Sequence, residues 1–192
     1  MSPDFKGVPA MDRKIIAIVL AFTVGLISYA TNANATAESY ARADIKDAEG
    51  KTVGTASLRD TKDGVLITLN VKGLPQGLHA VHIHAVGKCE GPAFMTAGGH
   101  FNPLNKKHGL KNADGPHAGD LADMYVNKDG IGRYESLMES FTLGPGETSI
   151  LDADGSALVI HASPDDNISD PSGNSGDRIA CGIITPVAAR KK

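Results

Sequence analysis

The chain has 192 residues and a formal net charge of −3 at pH 7, and 41% of its residues are hydrophobic. This length fits one domain, whose core can bury roughly two thirds of the surface that the unfolded chain exposes. The acidic balance excludes a nucleic-acid-binding protein that relies on a basic surface.

The first segment has the organisation of a secretory signal peptide. Arg13 and Lys14 precede an apolar run over residues 15–30, and small residues follow up to Ala35. This order predicts cleavage after Ala35, so that residues 1–35 are a removed leader and residues 36–192 the mature domain. A membrane anchor is the alternative, but the run is shorter than the roughly 20 apolar residues of a spanning helix. We therefore expect an exported chain with no membrane association after cleavage.

Short alternating or apolar segments separated by turn residues make up most of the mature chain. They predict eight strands and no helix, and therefore an all-β fold, an antiparallel barrel or sandwich. Glycines that follow acidic or small residues in the turns are typical of hairpins. The predicted strands are residues 40–45, 51–58, 65–71, 79–86, 121–126, 131–137, 157–161 and 178–184.

Two histidines stand two residues apart in the fourth predicted strand. Period-two geometry sends the imidazoles of His82 and His84 to the same face, so that one strand can supply two ligands to one ion. His79 is predicted to point to the opposite face and to be structural. A His-x-His pair by itself is more typical of hydrogen-bonded structure than of a metal site.

The only two cysteines of the chain are Cys89 and Cys181. Disulfides persist in exported proteins, and no third cysteine competes, so we expect these two to pair. Such a bridge would close about 90 residues and contribute roughly 4 to 5 kcal/mol in the chain-entropy model. Two buried free thiols are the alternative, which would suit a cytosolic protein better.

Two long connections, residues 87–120 and 162–177, interrupt the even spacing of strands, and loops of this length usually carry function. The first contains His100, His108 and His117-x-x-Asp120 among glycines and prolines, which is loop composition. Three imidazoles and one carboxylate form a closed tetrahedral zinc site. The sequence therefore predicts a loop folded around a cation.

Six segments, taken as an ordered series, closely resemble the copper/zinc superoxide dismutase family, in its bacterial exported form. The resemblance covers about residues 40–184. The steps of eight, nine and three residues from His100 to His108, His117 and Asp120 match the family pattern. The segments are Val81–His84, Gly99–Pro103, Lys106–Gly109, His117–Leu121, Val159–His161 and Gly176–Gly182.

The resemblance implies an eight-stranded Greek-key barrel with two long functional loops and with one copper and one zinc ion per subunit. The implied copper ligands are His82, His84, His100 and His161. The implied zinc ligands are His100, His108, His117 and Asp120. Seven residues fill two four-coordinate sites only if one is shared, and only a deprotonated imidazole presents a lone pair on each nitrogen. His100 is therefore expected to bridge the ions as an imidazolate.

The implied activity is the dismutation of superoxide to oxygen and hydrogen peroxide by a redox-cycling copper, an antioxidant defence outside the cytoplasm. His100 would deliver a proton to the peroxide, and Arg178 would line the copper channel and bind the anion. An ion pair of Arg178 with Asp177 or Asp166 is the plainer alternative. Asp165 would link the free nitrogens of His82 and His108 and fix both rings, although its segment is also an ordinary turn.

The chain departs from the eukaryotic pattern in both loops. Residues 162–177 contain four aspartates and no lysine, so that Lys88, Lys106 and Lys107 are the candidates for steering the substrate. An insertion over residues 91–95 brings Phe94 and Met95, which are expected to cover apolar surface or to belong to a subunit contact. Both departures resemble the bacterial exported branch, which implies a periplasmic or secreted protein and leaves monomer and homodimer open.

Two other functions stay open at this point. A copper and zinc buffer or delivery protein on the same scaffold would explain the ligands but not Arg178, and such proteins generally carry a Cys-x-x-Cys module that this chain lacks. A purely structural sandwich would make the ordered histidines a coincidence.

Overall fold

The computed structural model describes residues 39–188. The predicted leader, residues 1–35, lies outside the described residues. The described part contains nine strands: β1 (Tyr40–Asp47), β2 (Thr52–Thr61), β3 (Gly64–Lys72), β4 (Gly77–His79), β5 (Val81–His84), β6 (Met124–Val126), β7 (Ile131–Met138), β8 (Ser156–His161) and β9 (Arg178–Val187). Within residues 39–188, no helix is long and apolar enough to cross a membrane.

The strands form one antiparallel sheet in the order β4-β6-β7-β3-β2-β1-β9-β8-β5. Its two end strands, β4 and β5, follow each other directly in the chain, so the sheet curls into a nearly closed barrel. The connections β3–β4, β5–β6 and β7–β8 join strands that are not neighbours, as in a Greek key. The predicted all-β antiparallel barrel is confirmed, with nine strands in the described part instead of eight.

The additional strand arises because the fourth predicted segment changes partners at Ala80. Residues 77–79 pair with β6, whereas residues 81–84 pair with β8. Ala80 itself receives a hydrogen bond from the backbone N–H of His161 at 2.9 Å and donates to the carbonyl of Ser163 at 3.0 Å. The prediction of one strand over residues 79–86 is therefore wrong, and His79 lies on β4 instead of the strand of His82.

The core follows the predicted alternation in β1 and β3, where every second side chain is buried, whereas β2 buries Val53, Ala56 and Leu58 and breaks the alternation between the first two. Burying a Leu or Ile side chain contributes roughly 1.5 to 3 kcal/mol, so this interior is the main source of stability. All four residues of β5 and all six of β8 are buried, because the barrel covers one face and the long loops cover the other. Val81 and Ile83 belong to the barrel core, which leaves His82 and His84 on the loop-covered face.

Three long connections lie outside the strands: residues 85–123, which contain a short 3₁₀ turn at Met95–Ala97, and residues 139–155 and 162–177. The first and third were expected. The second was not, although Phe141 and Ile150 from it are buried in the barrel core.

A disulfide joins Cys89 in the first long loop to Cys181 in β9, with a Cα–Cα distance of 5.6 Å and a sequence separation of 92. The predicted pairing is confirmed. A small second core surrounds it, formed by Phe94, Ala97, Ala157, Val159 and Cys181. The disulfide therefore ties one side of the long loop to the barrel wall.

Candidate metal centre

Strand β5 lies between the other segments that carry the predicted ligands and is hydrogen-bonded to them. Along one edge it pairs with β8, which brings His161. Along its other edge it hydrogen-bonds to the long loop, where the N–H of Ile83 donates to the carbonyl of Gly119 at 2.9 Å and the N–H of Phe101 donates to the carbonyl of Ile83 at 2.8 Å. A Cβ at position 119 would overlap the Ile83 carbonyl oxygen, so this close approach requires glycine.

Four histidines converge on the loop-covered face of β5. One nitrogen each from His82, His84, His100 and His161 lies within 4.8 Å of the others. Their ring centroids are 4.0 Å apart for His82 and His100 and 5.7 Å apart for His84 and His161. The structure thus brings together the complete predicted copper set, which we name the four-histidine cluster.

The tautomers of this cluster follow from the hydrogen bonds of the outer nitrogens. Nε2–H of His82 donates to Asp165 Oδ2 at 2.7 Å, Nδ1–H of His84 to the Gly98 carbonyl at 2.9 Å, and Nδ1–H of His161 to the Gly176 carbonyl at 3.3 Å. A neutral imidazole that donates from one nitrogen carries a lone pair on the other.

The inner nitrogens of the cluster are therefore lone-pair acceptors that nothing in the described chain satisfies. His82 Nδ1, His84 Nε2, His100 Nε2 and His161 Nε2 are all buried and have no hydrogen-bond partner among the described residues. Buried acceptors without a donor are costly, and a metal cation removes that cost. The donor set of four imidazoles fits copper.

Burial also keeps these rings neutral at physiological pH. Loss of hydration lowers the pKa of His82 to about 4 and that of His161 to about 3, and it holds the pKa of His84 well below its usual value. Protons therefore do not compete with a metal ion for these three lone pairs near pH 7.

The second predicted set converges beside the first and shares His100 with it. Asp120 Oδ1 lies 2.9 Å from His100 Nδ1, 3.0 Å from His108 Nδ1 and 3.4 Å from His117 Nδ1. Metal–nitrogen bonds of about 2.0 Å in a tetrahedron place ligand atoms roughly 3.3 Å apart, so these separations match the edges of a zinc site. We name this set the three-histidine-one-aspartate cluster.

The aspartate of this cluster is oriented by the backbone. Oδ2 of Asp120 accepts the N–H groups of Gly109 and His117, both at 2.9 Å, which turns Oδ1 toward the three imidazoles. Burial raises the pKa of Asp120, but hydrogen bonds from His100, His108 and Gly109 outweigh that effect and hold the pKa far below its usual range. The carboxylate is ionised and ready to bind a cation.

Asp165 lies behind both clusters and touches one ring of each. Its Oδ2 accepts from His82 and its Oδ1 accepts from Nε2 of His108 at 3.0 Å. The backbone N–H of Asn167 donates to the same carboxylate at 2.6 Å, and that of Asp165 donates to Asp123 Oδ1 at 3.0 Å. The contacts expected of Asp165 are therefore present, and its loop is anchored at both sides.

Arg178 lies at the entrance to the four-histidine cluster, and backbone carbonyls fix its guanidinium. Nη1 donates to the carbonyl of Phe94 and Nη2 to that of Gly98, both at 2.7 Å. Gly98 also accepts from His84, so one carbonyl links the arginine to a ligand of the cluster. No ion pair joins Arg178 to another described residue, so the surface pairing with Asp177 or Asp166 is wrong.

A cleft of about 600 Å³ opens onto these groups. The first long loop forms one wall and residues 170–178 form the other. At its base lie His84, His100, His117 and His161, and at its rim lie Arg178, Asn102, Lys106, Lys107 and Asp170.

Several contributions to the site could not be found from the sequence. The carbonyls of Phe94 and Gly98 act through the backbone, which leaves no residue-type signal. Asp170 accepts the backbone N–H of His108 at 2.9 Å, a contact that only the folded loops create.

His79, predicted to be structural, approaches the carbonyls of Pro75 at 2.9 Å and of His161 at 2.7 Å.

Comparison with known proteins gives one consistent answer. The family model for copper/zinc superoxide dismutase matches residues 52–184. Superoxide dismutase (Cu-Zn) 2 of Aquifex aeolicus is 47% identical over 173 residues, which cover 89% of this chain and 99% of that protein. The corresponding protein of Caulobacter vibrioides is 40% identical and covers 75% and 84% of the two chains.

A solved structure agrees with the sequence matches. The crystal structure of a SOD-like protein from Bacillus subtilis is 40% identical, with a TM-score of 0.71, and covers 74% of this chain and 96% of that one. The family match spans more than half of the chain, and the relatives are well above 30% identity. The chain therefore belongs to the copper/zinc superoxide dismutase family, as the resemblance predicted, and it is a superoxide dismutase that uses copper and zinc.

Proposed function

We propose that this chain dismutates superoxide outside the cytoplasm at a copper and a zinc ion that share His100. The four-histidine cluster is the copper site, and the three-histidine-one-aspartate cluster is the zinc site. The observation that carries the proposal is the position of His100, whose Nε2 faces one cluster while its Nδ1 lies 2.9 Å from Asp120 in the other. The two nitrogens of this one ring therefore face two different clusters.

When bound, copper supplies one-electron redox chemistry, and zinc supplies a fixed charge that has no redox chemistry of its own. The role of Arg178 is to bind the substrate anion. A guanidinium has five N–H donors, and the carbonyls of Phe94 and Gly98 occupy two of its nitrogens while fixing its plane. The remaining donors are available to superoxide in the cleft, next to the lone pairs of the four-histidine cluster.

His100 is the proposed proton carrier. Its Nε2 is buried in the four-histidine cluster, at the base of the cleft, where a proton held on that atom lies next to the anion bound by Arg178. Its Nδ1 stays within the other cluster, so the ring keeps its orientation while Nε2 gains and loses the proton. Asp165 serves both clusters by holding His82 and His108 in fixed tautomers.

The location is part of the proposal. The signal-like residues 1–35 predict export, and the disulfide is of the kind that persists in a periplasmic or secreted protein. The intact mass of the protein recovered from the producing cell tests this point. A mass that still includes residues 1–35 would refute cleavage after Ala35.

Metal counting in two variants tests the shared ligand. His100→Ala removes a donor from both clusters, so we expect the purified protein to lose zinc and copper together. His161→Ala removes a donor from the four-histidine cluster alone, so copper should fall while zinc is retained. Zinc content at the native level in His100→Ala would refute the bridge.

A second candidate function, copper and zinc storage on the same scaffold, makes a different prediction. Bacillus subtilis has a relative named superoxide dismutase-like protein YojM that is 43% identical to this chain. A storage protein would not need Arg178. We expect Arg178→Ala to keep both metals and to lower kcat/KM by about ten-fold or more, on the scale of a lost charge-assisted hydrogen bond. Unchanged turnover in that variant would favour storage.

A further inference from the structure

We propose that Ser140 is a positioning residue for the zinc site and that it acts through the backbone carbonyl of Ala118. The inference rests on the proposed function, because it requires zinc in the three-histidine-one-aspartate cluster. It gives the connection 139–155, which was not expected from the sequence, a part in building that cluster.

The turn from His117 to Asp120 supplies two ligands of this cluster, and hydrogen bonds hold its carbonyls. The carbonyl of His117 accepts the N–H of Asp120 at 3.2 Å, and that of Gly119 accepts a backbone N–H of β5 at 2.9 Å. The carbonyl of Ala118 lies between these two in the chain, and the hydroxyl of Ser140 donates to it at 2.7 Å. Ser140 therefore supplies the donor for the middle carbonyl of the turn.

The backbone of Ser140 is fixed on both sides. Two residues before it, Met138 ends β7 and pairs with Val65 of β3. Directly after it, Phe141 is buried in the barrel core. The hydroxyl of Ser140 therefore ties the ligand turn to a segment that the barrel already holds in place.

The ligand turn meets the barrel at the same region. Ala118 is buried and belongs to the same core as Phe141. Strand β5 holds the carbonyl of Gly119, and Ser140 holds that of Ala118. Two different elements thus fix two successive peptide groups between the ligands His117 and Asp120.

A turn that is fixed before the ion arrives binds zinc more tightly than a turn that zinc must order. Without the hydroxyl, the carbonyl of Ala118 loses its donor, and the turn shifts to find another. The ligand atoms His117 Nδ1 and Asp120 Oδ1 then lose their fixed separation of 3.4 Å. The scale of one net hydrogen bond predicts a loss of about three- to ten-fold in zinc affinity.

Ser149 provides the matched control in the same connection. It is buried, and its hydroxyl accepts the N–H of Leu151 at 3.3 Å, a contact within residues 139–155. Ser149→Ala therefore removes the same group from the same connection without removing a hydrogen bond to the ligand turn. Ser140→Thr keeps a hydroxyl at position 140 and should preserve the contact with Ala118.

The test uses the purified protein, stripped of metal and titrated with zinc against a chromogenic chelator. We expect Ser140→Ala to bind zinc about three- to ten-fold more weakly than the native protein does. Ser140→Thr and Ser149→Ala should bind zinc with native affinity. Urea unfolding of the metal-free variants measures the stability of the fold separately.

Cobalt(II) in the zinc site gives a readout that a loss of fold stability alone would not move. Its visible absorption reports the geometry of a tetrahedral site. We therefore expect shifted bands in Ser140→Ala and native bands in Ser140→Thr and Ser149→Ala.

Three results overturn the inference: native zinc affinity in Ser140→Ala, an equal loss of affinity in Ser149→Ala, or cobalt bands in Ser140→Ala that match those of the native protein. A native protein that binds no zinc at the three-histidine-one-aspartate cluster would instead refute the proposed function. The two failures are therefore distinguishable.

Discussion

At the scale of single residues, the second nitrogen of each histidine decides what its first nitrogen can do. His82, His84 and His161 each donate outward to an oxygen, which leaves a lone pair facing the four-histidine cluster. His108 differs, because Asp120 lies at one of its nitrogens and Asp165 at the other. In the metal-free protein both of its nitrogens can therefore hold a proton.

Zinc binding should release that proton. Burial lowers the pKa of His108, but hydrogen bonds to Asp120 and Asp165 outweigh burial and raise the pKa to about 9. At pH 7 the metal-free ring is a cation, so zinc must displace the Nδ1 proton, and zinc affinity should rise with pH up to about 9. Calorimetry of zinc binding at pH 7, in buffers of different ionisation enthalpy, should show about one proton released from His108.

The raised pKa of His108 also determines how the stability of the metal-free protein changes with pH. A pKa raised from 6.5 to about 9 contributes stability that is fully present below pH 6.5 and is lost as the pH rises through about 9.

A zinc titration at pH 7 that releases no proton would show that His108 is already neutral.

Gly173 offers a second prediction at this scale. Its φ is +62°, and a Cβ there would overlap the carboxylate of Asp165 and approach Nε2 of His108. We expect Gly173→Ala to displace Asp165 and to lower zinc affinity by about 10- to 100-fold, the usual cost of losing a residue that orients a metal ligand.

Gly73→Ala is the matched control, because its φ of +81° is also left-handed and a Cβ at that position meets nothing within 4 Å. Competition with a chromogenic zinc chelator measures both variants. If Gly173→Ala binds zinc as tightly as Gly73→Ala does, Asp165 does not orient the site.

At the scale of elements, local patterns predict strands but not their partners. The alternation in β1 and β3 is regular because one face is buried and the other is more exposed, and β1, β2 and β3 were predicted within three residues at each end. The change of partner at Ala80 depends on backbone contacts with residues 161 and 163, which no local pattern contains. For the same reason the pattern over residues 79–86 predicts a single strand.

In the loops, too, local patterns predict some features, whereas contacts between distant segments cannot be predicted from them. Ligand spacing from His100 to Asp120 is a local property, and the residues it selected do come together. The burial of Phe141 and Ile150 in the connection 139–155 follows no period and was missed. The hydrogen bonds that hold Arg178 were also missed, because they go to backbone carbonyls, which leave no residue-type signal. One of these carbonyls belongs to Phe94, whose backbone is left-handed with φ 52°.

The disulfide should support both stability and the position of Arg178. It closes a segment with a sequence separation of 92, and the chain-entropy model assigns such a loop about 4 kcal/mol or more of unfolding free energy. The same loop carries the carbonyls that hold the guanidinium. We expect Cys89→Ser combined with Cys181→Ser to lower the unfolding free energy by about that amount and to reduce kcat/KM.

Urea unfolding and turnover of the fully metal-loaded variant measure the two effects separately. Native kcat/KM at full metal content would mean that the small core around Phe94 holds Arg178 in place without the covalent bond.

At the scale of the whole molecule, an acidic protein presents a positive site. The formal net charge is −3, while the cleft concentrates Lys106, Arg178 and, when the metals are bound, two dications against Asp120. A positive field within a negative surface directs anions to one place and makes the association rate depend on salt. The barrel contributes by fixing β5, which carries His82 and His84 and is joined by backbone bridges to His100 and Asp120 of the long loop.

The most direct test of the central claim, that one imidazole joins two different ions, is a crystal structure of the metal-loaded protein with diffraction data collected at the copper and the zinc absorption edges. We predict copper about 2.0 Å from His100 Nε2, together with His82, His84 and His161, and zinc about 2.0 Å from His100 Nδ1. Copper and zinc peaks of which only one is bonded to His100 would contradict the account.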